Sequence, residues 1–340
     1  PISSLIKLTA IFDLEFDRMR EEIRRRGARR ILVQLPEGLK SKAPKIASII
    51  EETGATVVIS ADPCYGACDL AINEAKSLSA DLIIHYGHSE LAVKSSDIPI
   101  LYFEAKANVS IENAVKDAMK YLESLDNIGL TTTVQHVHKL SEAEDILRKA
   151  GKKVYVGHEP GLKYPGQVLG CDYRNAKIIS NAVDAFLFIG GGIFHAVGVF
   201  LATMKPTIAA DPFESKARRI DDYAKRVIAV RWADISEASR ARRWGVIVGL
   251  KSGQMNIESA LRIKGELEEA GREAILLALR EITPDALMEF PSIEAYVNTA
   301  CPRISFYEPK KFSKPVLTPR EMRVALGKIS WEDYLELGLL

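Results

Sequence analysis

The chain has 340 residues, 47% of them hydrophobic and 27% charged, the composition of an ordinary soluble globular protein long enough for two or three domains. Its 46 basic and 45 acidic residues leave a formal charge of +1, which argues against the broad electrostatic footprint of a nucleic-acid or anionic-membrane binder. No apolar run of about 18 residues is present to span a bilayer and the N-terminus lacks the zones of a signal peptide, so a cytoplasmic protein with reduced thiols is expected.

In chain order, Asp13–Arg26 carries Leu14, Phe16, Met19 and Ile23 among charges at helical spacing, and Arg30–Leu35 reads as a strand ended by Pro36-Glu-Gly38. Lys42–Thr53 is a predicted helix stopped by Gly54, followed by strand Ala55–Ser60, helix Leu70–Leu78 and strands Asp81–His85 and Pro99–Phe103. The order then recurs. Helix Ile111–Leu125, strand Ile128–Val134, helix Ser141–Lys149 stopped by Gly151, strand Lys153–Gly157, helix Ala176–Ala182 and strands Asp184–Ile189 and Pro206–Ala210 form the second copy. A third runs from strand Trp244–Leu250 through helix Ile257–Glu269, stopped by Gly271, to strands Glu273–Ala278, Ile293–Thr299 and Lys314–Thr318.

Apolar strands alternating with helices indicate parallel sheets covered on both faces, and a unit written three times is an internal repeat. The expected fold is α/β, with three similar domains over 1–107, 108–212 and 213–340. Each is predicted to hold a four-stranded parallel sheet flanked by helices. A pseudo-threefold arrangement would face the carboxyl ends of the strands, where such sheets bind ligands, toward one centre. The tail from Ser330 opens on a helix-cap signal, and either docks on another domain or subunit or frays.

The chain has four cysteines. Cys68, Cys171 and Cys301 each follow a strand-like run of a different copy, in loops marked by small residues or proline. Cys68 and Cys171 follow the second strand of their copies, and Cys301 the third. We read these three thiols as meeting in space to hold an iron–sulfur cluster; the competing reading makes all four cysteines small buried hydrophobes. Three thiolates suit a [4Fe–4S] cluster with one iron lacking a protein ligand, open to a substrate's amine or carboxylate. There is no Cys-x-x-Cys pair, which counts against zinc ribbons and ferredoxin-like spacing. A helix predicted from Asp69 or Leu70 would place Cys68 at a helix N-terminus, where a thiolate is stabilised.

The strand tips are polar, with Gln34, Gln135, His136, His138 and Gln254. His88 and His195 end corresponding strands and share a predicted site role, whereas His85, inside a strand, reads as a core histidine. Gly190-Gly-Gly192 is either a glycine-rich turn or, with a helix beginning near His195, a cradle for an anion.

The segments Gln34-Leu-Pro-Glu-Gly-Leu39, Tyr65-Gly-Ala-Cys-Asp69, Thr131-Thr-Thr-Val-Gln-His-Val-His138, Pro165-Gly-Gln-Val-Leu-Gly-Cys171, Phe188-Ile-Gly-Gly-Gly-Ile-Phe-His195, Ala300-Cys-Pro-Arg303 and Lys314-Pro-Val-Leu-Thr-Pro319 belong together. With them the chain resembles, over nearly its whole length, the archaeal diphthamide-synthesis enzymes, the 2-(3-amino-3-carboxypropyl)histidine synthases. The resemblance implies that Cys68, Cys171 and Cys301 hold a [4Fe–4S] cluster and that Cys64 is not a ligand. It implies a noncanonical radical enzyme that cleaves S-adenosylmethionine at the bond to Cγ of its methionine moiety. The 3-amino-3-carboxypropyl group would then be added to C2 of a histidine of translation elongation factor 2. A homodimer and an electron donor are implied as partners. Gln34, Gln135, His195, Gln254 and Arg303 are candidates for binding S-adenosylmethionine, from strand-tip position alone; no catalytic residue beyond the cluster is assigned. Two other readings stand beside this one: a quinolinate-synthase-like [4Fe–4S] enzyme, and an iron–sulfur accessory subunit without its own activity.

Overall fold

The computed structural model describes residues 11–91, 96–307 and 312–340. The first unit comprises β1 (Phe12–Asp13), α1 (Phe16–Arg26), β2 (Arg30–Gln34), α2 (Ala43–Glu51), β3 (Thr56–Ile59), α3 (Ile72–Ser77), β4 (Leu82–Tyr86), β5 (Ile100–Phe103) and β6 (Lys106–Ala107). The second holds α4 (Glu112–Leu122), β7 (Asn127–Thr132), α5 (Leu140–Lys149), β8 (Lys153–Tyr155), α6 (Arg174–Lys177), β9 (Ala185–Ile189), α7 (Phe194–Thr203), β10 (Thr207–Asp211) and β11 (Lys216–Arg219). The third holds α8 (Asp221–Ala238), β12 (Arg243–Gly249), α9 (Ile257–Glu269), β13 (Glu273–Leu279), α10 (Pro284–Met288), β14 (Ala295–Asn298), α11 (Pro302–Tyr307), β15 (Val316–Leu317), α12 (Pro319–Ala325) and α13 (Trp331–Glu336).

The sheets run β3-β2-β4-β5, β8-β7-β9-β10-β11 and β13-β12-β14-β15. β1 and β6 form a separate antiparallel pair; counting the strands of each larger sheet in sequence, the first four share the order 2-1-3-4 with parallel pairing in all three. The second sheet departs from the expected four strands. β11 adds an antiparallel fifth strand beside β10, so the second sheet extends through Arg219. In Lys216-Ala-Arg-Arg219 only Ala217 is buried, which explains why no apolar pattern announces the strand.

The repeat extends to single residues. Each unit ends its first helix after strand one on a glycine in the left-handed region: Gly54 at φ 85°, Gly151 at 82° and Gly271 at 72°. A side chain there would be strained, and glycine lets the chain reverse into strand two. Each unit also places a carboxylate just before or at the start of its third strand to collect backbone N–H groups at the start of its first. Asp81 accepts from Arg29 and Arg30, Asp184 from Asp126 and Asn127, and Glu294 from Arg242 and Arg243. Those bonds to its charged form pull Glu294 down to about 2.

Adjacent residues of β2 serve opposite faces: Ile31 and Val33 join a core with α1 and α2, while Leu32 packs with Ala71, Ala75 and Ile83 beneath α3. Each fully buried side chain of this size contributes about 1.5–3 kcal/mol. One apolar core is shared between the second and third sheets, running from Phe186 and Val199 to Trp244 and Met322. The tail docks within this core. Tyr334 is buried, and the Leu339 N–H donates to the Leu201 carbonyl of α7 at 2.7 Å. Among the described residues, no helix is long and apolar enough to cross a membrane.

Candidate functional site

The loop carrying Cys68 is folded by buried Gln34 at the tip of β2. Its Nε2 donates to the Asp69 carbonyl and its Oε1 accepts from the Ala71 N–H, both at 2.9 Å. From the other side the loop is gripped by Lys251–Gln254, just beyond β12. The Gly253 N–H donates to the Cys68 carbonyl at 2.8 Å, Ser252 Oγ accepts from the Leu70 N–H at 3.1 Å, and Gln254 Nε2 donates to the Cys68 sulfur at 3.4 Å. Glycine is required at 253, since a Cβ there would stand 2.7 Å from Cys68 Cα and 2.9 Å from its Cβ.

Lys251 Nζ meets the Asp69 carboxylate at 2.8 Å, with only 5% of either side chain exposed. It also pairs with Glu281 at 2.7 Å and lies 4.2 Å over the Tyr65 ring. Burial acts to lower the Lys251 pKa, but the bonds to Asp69 and Glu281 outweigh it and hold the group above its ordinary value. The Cys68 loop of the first unit is thus locked to the third by a buried ion pair.

Cys171 follows a segment shaped by Asn175, whose Nδ2 donates to the Tyr164 and Gln167 carbonyls at 3.0 and 2.9 Å and whose Oδ1 accepts from the Glu159 N–H at 2.7 Å. Gly170 is held against Arg303, where a Cβ would lie 2.7 Å from Arg303 Cδ. Cys301 follows β14. Buried Asn298 turns the chain there, donating to the Cys301 carbonyl at 2.6 Å and accepting from the Ala300 N–H at 3.0 Å.

Cys68, Cys171 and Cys301 line one cavity of about 340 Å³, within the range of small-molecule sites. Cys171 as a residue is exposed, yet the protein mass near its sulfur pushes the thiol up to about 12, with Cys301 and Cys68 adding to the effect. Burial raises Cys301 as well. A single tetrahedral zinc holds two thiolates about 3.8 Å apart, from Zn–S bonds near 2.3 Å. Among the described residues, the group whose donor atoms all lie within 4.8 Å of one another is Cys64, His85 and His88, not the cavity trio.

Gln135, His195, Gln254 and Arg303 line the same cavity, as does His88. Gln135 bridges units by donating from Nε2 to the Gly87 carbonyl at 2.7 Å. His195 stacks on Phe188 at 5.8 Å, and the Arg303 guanidinium lies 4.4 Å over the Phe194 ring. Desolvation, with the Arg303 charge added, holds His88 at about 4 and His195 at about 3. Both imidazoles are neutral near pH 7, and Arg303 brings positive charge to the wall.

Several expectations change. Gln34 does not line the cavity, because both ends of its amide hold the Cys68 loop. α3 begins at Ile72 rather than Asp69, so no helix N-terminus supports the Cys68 thiolate. α7 does begin beside His195, but the Gly192 N–H is already taken by the Asp211 carboxylate at 2.8 Å, an anion of the chain itself. His136 is buried against Phe213 and is not in the cavity wall. Lys251, Asp69 and Ser252 escape sequence reasoning, since a lysine beyond a strand signals nothing until its partner, 182 residues away, is known.

The family model described as "Putative diphthamide synthesis protein" matches residues 35–335. The chain belongs to this family. A 2-(3-amino-3-carboxypropyl)histidine synthase of Pyrococcus horikoshii is 40% identical over 309 residues, 90% of this chain and 88% of its own length. Subunit 1 of the synthase of Gallus gallus is 33% identical over 332 residues, 96% of this chain and 80% of its own length. The crystal structure of Dph2 from Pyrococcus horikoshii with a 4Fe-4S cluster is similar with a TM-score of 0.87 and 38% identity, covering 94% of this chain and 92% of that one. Membership of the diphthamide-synthesis family accords with the motifs around Cys68, Cys171 and Cys301, the residues that carry the resemblance in the sequence.

Proposed function

We propose that this chain is a 3-amino-3-carboxypropyl transferase that performs the first step of diphthamide synthesis. It would transfer that group from S-adenosylmethionine to C2 of a histidine of translation elongation factor 2, with Cys68, Cys171 and Cys301 holding a [4Fe–4S] cluster. The observation that carries the reading is one cysteine from each unit on a single cavity wall. When bound, the cluster would supply one electron to break the sulfonium bond to Cγ; the freed fragment would then bond to imidazole C2 with loss of the C2 hydrogen as a proton and return of the electron, so that the transfer is redox-neutral overall.

The chain's own residues orient the reactants, and bond choice is a positioning problem. Arg303 offers charge to the methionine carboxylate, and the amides of Gln135 and Gln254 and the neutral His195 offer hydrogen bonds around it. Gln254 already reaches the Cys68 sulfur. Gln34 acts one step back, holding the loop that presents Cys68. We take the three units, 1–107, 108 to about 219, and the remainder, to surround this centre with pseudo-threefold symmetry. A homodimer, an external electron donor and cytoplasmic location complete the proposal.

The test is the fate of S-adenosylmethionine on anaerobically reconstituted, dithionite-reduced protein. Breaking the Cγ bond leaves 5′-methylthioadenosine, which is the expected product. Stoichiometric 5′-deoxyadenosine would overturn the bond choice, and quinolinate formed from iminoaspartate and dihydroxyacetone phosphate would replace the assignment.

A further inference from the structure

We propose that Cys64, His85 and His88 form a second metal site, for one divalent ion of the zinc class, beside the cavity and independent of its three thiols. The three side chains come from the β3–α3 loop, the body of β4 and the turn after it. One donor atom from each lies within 4.8 Å of the other two. Cys64 is 5% exposed and His85 is fully buried, so neither is an accidental surface group.

The surrounding hydrogen bonds prepare the donors. Gln34 Oε1 accepts from the Ala71 N–H while its Nε2 donates to the Asp69 carbonyl, which fixes the direction of the amide. That oxygen stands 3.4 Å from His85 Nδ1, so Nδ1 carries the ring proton and Nε2 presents a lone pair. The lone pair faces His88 Nδ1 at 3.0 Å. Two imidazole nitrogens on a tetrahedral zinc stand about 3.3 Å apart, given Zn–N near 2.0 Å, so the pair needs to open by only a few tenths of an ångström. The Gln34 oxygen is thus a second contact behind His85, of the kind that orients ligands and tunes them in metal sites.

Binding is balanced simply. The Cys64 thiol loses its proton to solvent, the His88 proton moves to the other ring nitrogen, and three protein donors leave a fourth position for water. His88 also lines the cavity, so water has access from that side. Thiolate with two imidazoles selects zinc-like ions over magnesium or calcium.

The full chain with Cys68→Ala, Cys171→Ala and Cys301→Ala keeps Cys64 as its single cysteine, so any thiolate–metal absorption must come from that residue. Anaerobic titration with cobalt(II) should give a thiolate-to-cobalt charge-transfer band and tetrahedral ligand-field bands, saturating at one equivalent and abolished by zinc. Adding Cys64→Ala should abolish the charge-transfer band, and His85→Gln or His88→Gln should weaken binding at least tenfold. A folded triple variant without the band at one equivalent, or binding unchanged by both histidine variants, overturns the proposal. Should the triple variant not fold, native mass spectrometry of the cluster-loaded wild type decides. One zinc beyond the cluster iron, lost in Cys64→Ala, supports the site; its absence from the wild type, or its persistence in Cys64→Ala, refutes it.

Discussion

Replacing Lys251 by methionine should loosen the cysteine loop that it holds. Lys251 and Asp69 are each about 95% shielded from water and meet at 2.8 Å, and methionine keeps most of the apolar stem while removing the charge. Asp69 would then be a buried carboxylate without its cation, a loss worth about 3–5 kcal/mol. Lys251→Met/Asp69→Asn removes both charges, so its cost should fall short of the summed singles by about 1–3 kcal/mol. The assay is anaerobic urea unfolding of the apo-protein followed by circular dichroism, with iron counted after reconstitution. Lys251→Met should also lower the iron retained, because Asp69 adjoins Cys68 and its carbonyl anchors Gln34. A cost below about 1 kcal/mol, the range of exposed pairs, or strictly additive single variants, would refute the claim that the pair locks the loop.

Other substitutions separate the site from the scaffold. Gly253→Ala drives a methyl into the Cys68 backbone and should cost about 1–3 kcal/mol, with reduced cluster retention. Gly265→Ala, within α9 and with nothing within 4 Å, should gain up to about 1 kcal/mol and leave iron unchanged in the same unfolding and iron assays. Cys68→Ala, Cys171→Ala and Cys301→Ala should each lose the reduced-state paramagnetic signal, while Cys64→Ala keeps most of it. His136, held at about 4 by burial and by His138, takes up its proton more readily when unfolded. Stability should therefore fall as pH drops from about 6.5 and level off below about 4, by on the order of 3 kcal/mol in total. His136→Gln should flatten that part of the profile measured by urea unfolding; parallel profiles would contradict the assignment.

The repeated architecture was readable because its punctuation is local. Gly54, Gly151 and Gly271 stop equivalent helices, and strands such as Ile31–Val33 and Phe186–Phe188 are apolar on both faces. The polar edge strand β11 lacked that signal, with a single buried side chain. Gln34 was visible as a polar strand tip, but whether its amide faced ligand or backbone depended on where Asp69 and Ala71 fold. Arg231 illustrates the same limit, buried against Glu321 at 2.7 Å across a separation of 90 residues. For Cys64, the chain order displayed its nearness to Cys68 and concealed its nearness to His85 and His88.

The central claim is tested most directly on the protein substrate. Reconstituted chain, dithionite, S-adenosylmethionine and archaeal elongation factor 2 should be combined anaerobically, and the factor's peptides examined by tandem mass spectrometry. The account predicts one 3-amino-3-carboxypropyl group on a histidine, formed by the wild type and absent with Cys68→Ala, Cys171→Ala or Cys301→Ala. An unmodified factor in the presence of a fully loaded cluster, or modification that persists in those variants, would contradict it.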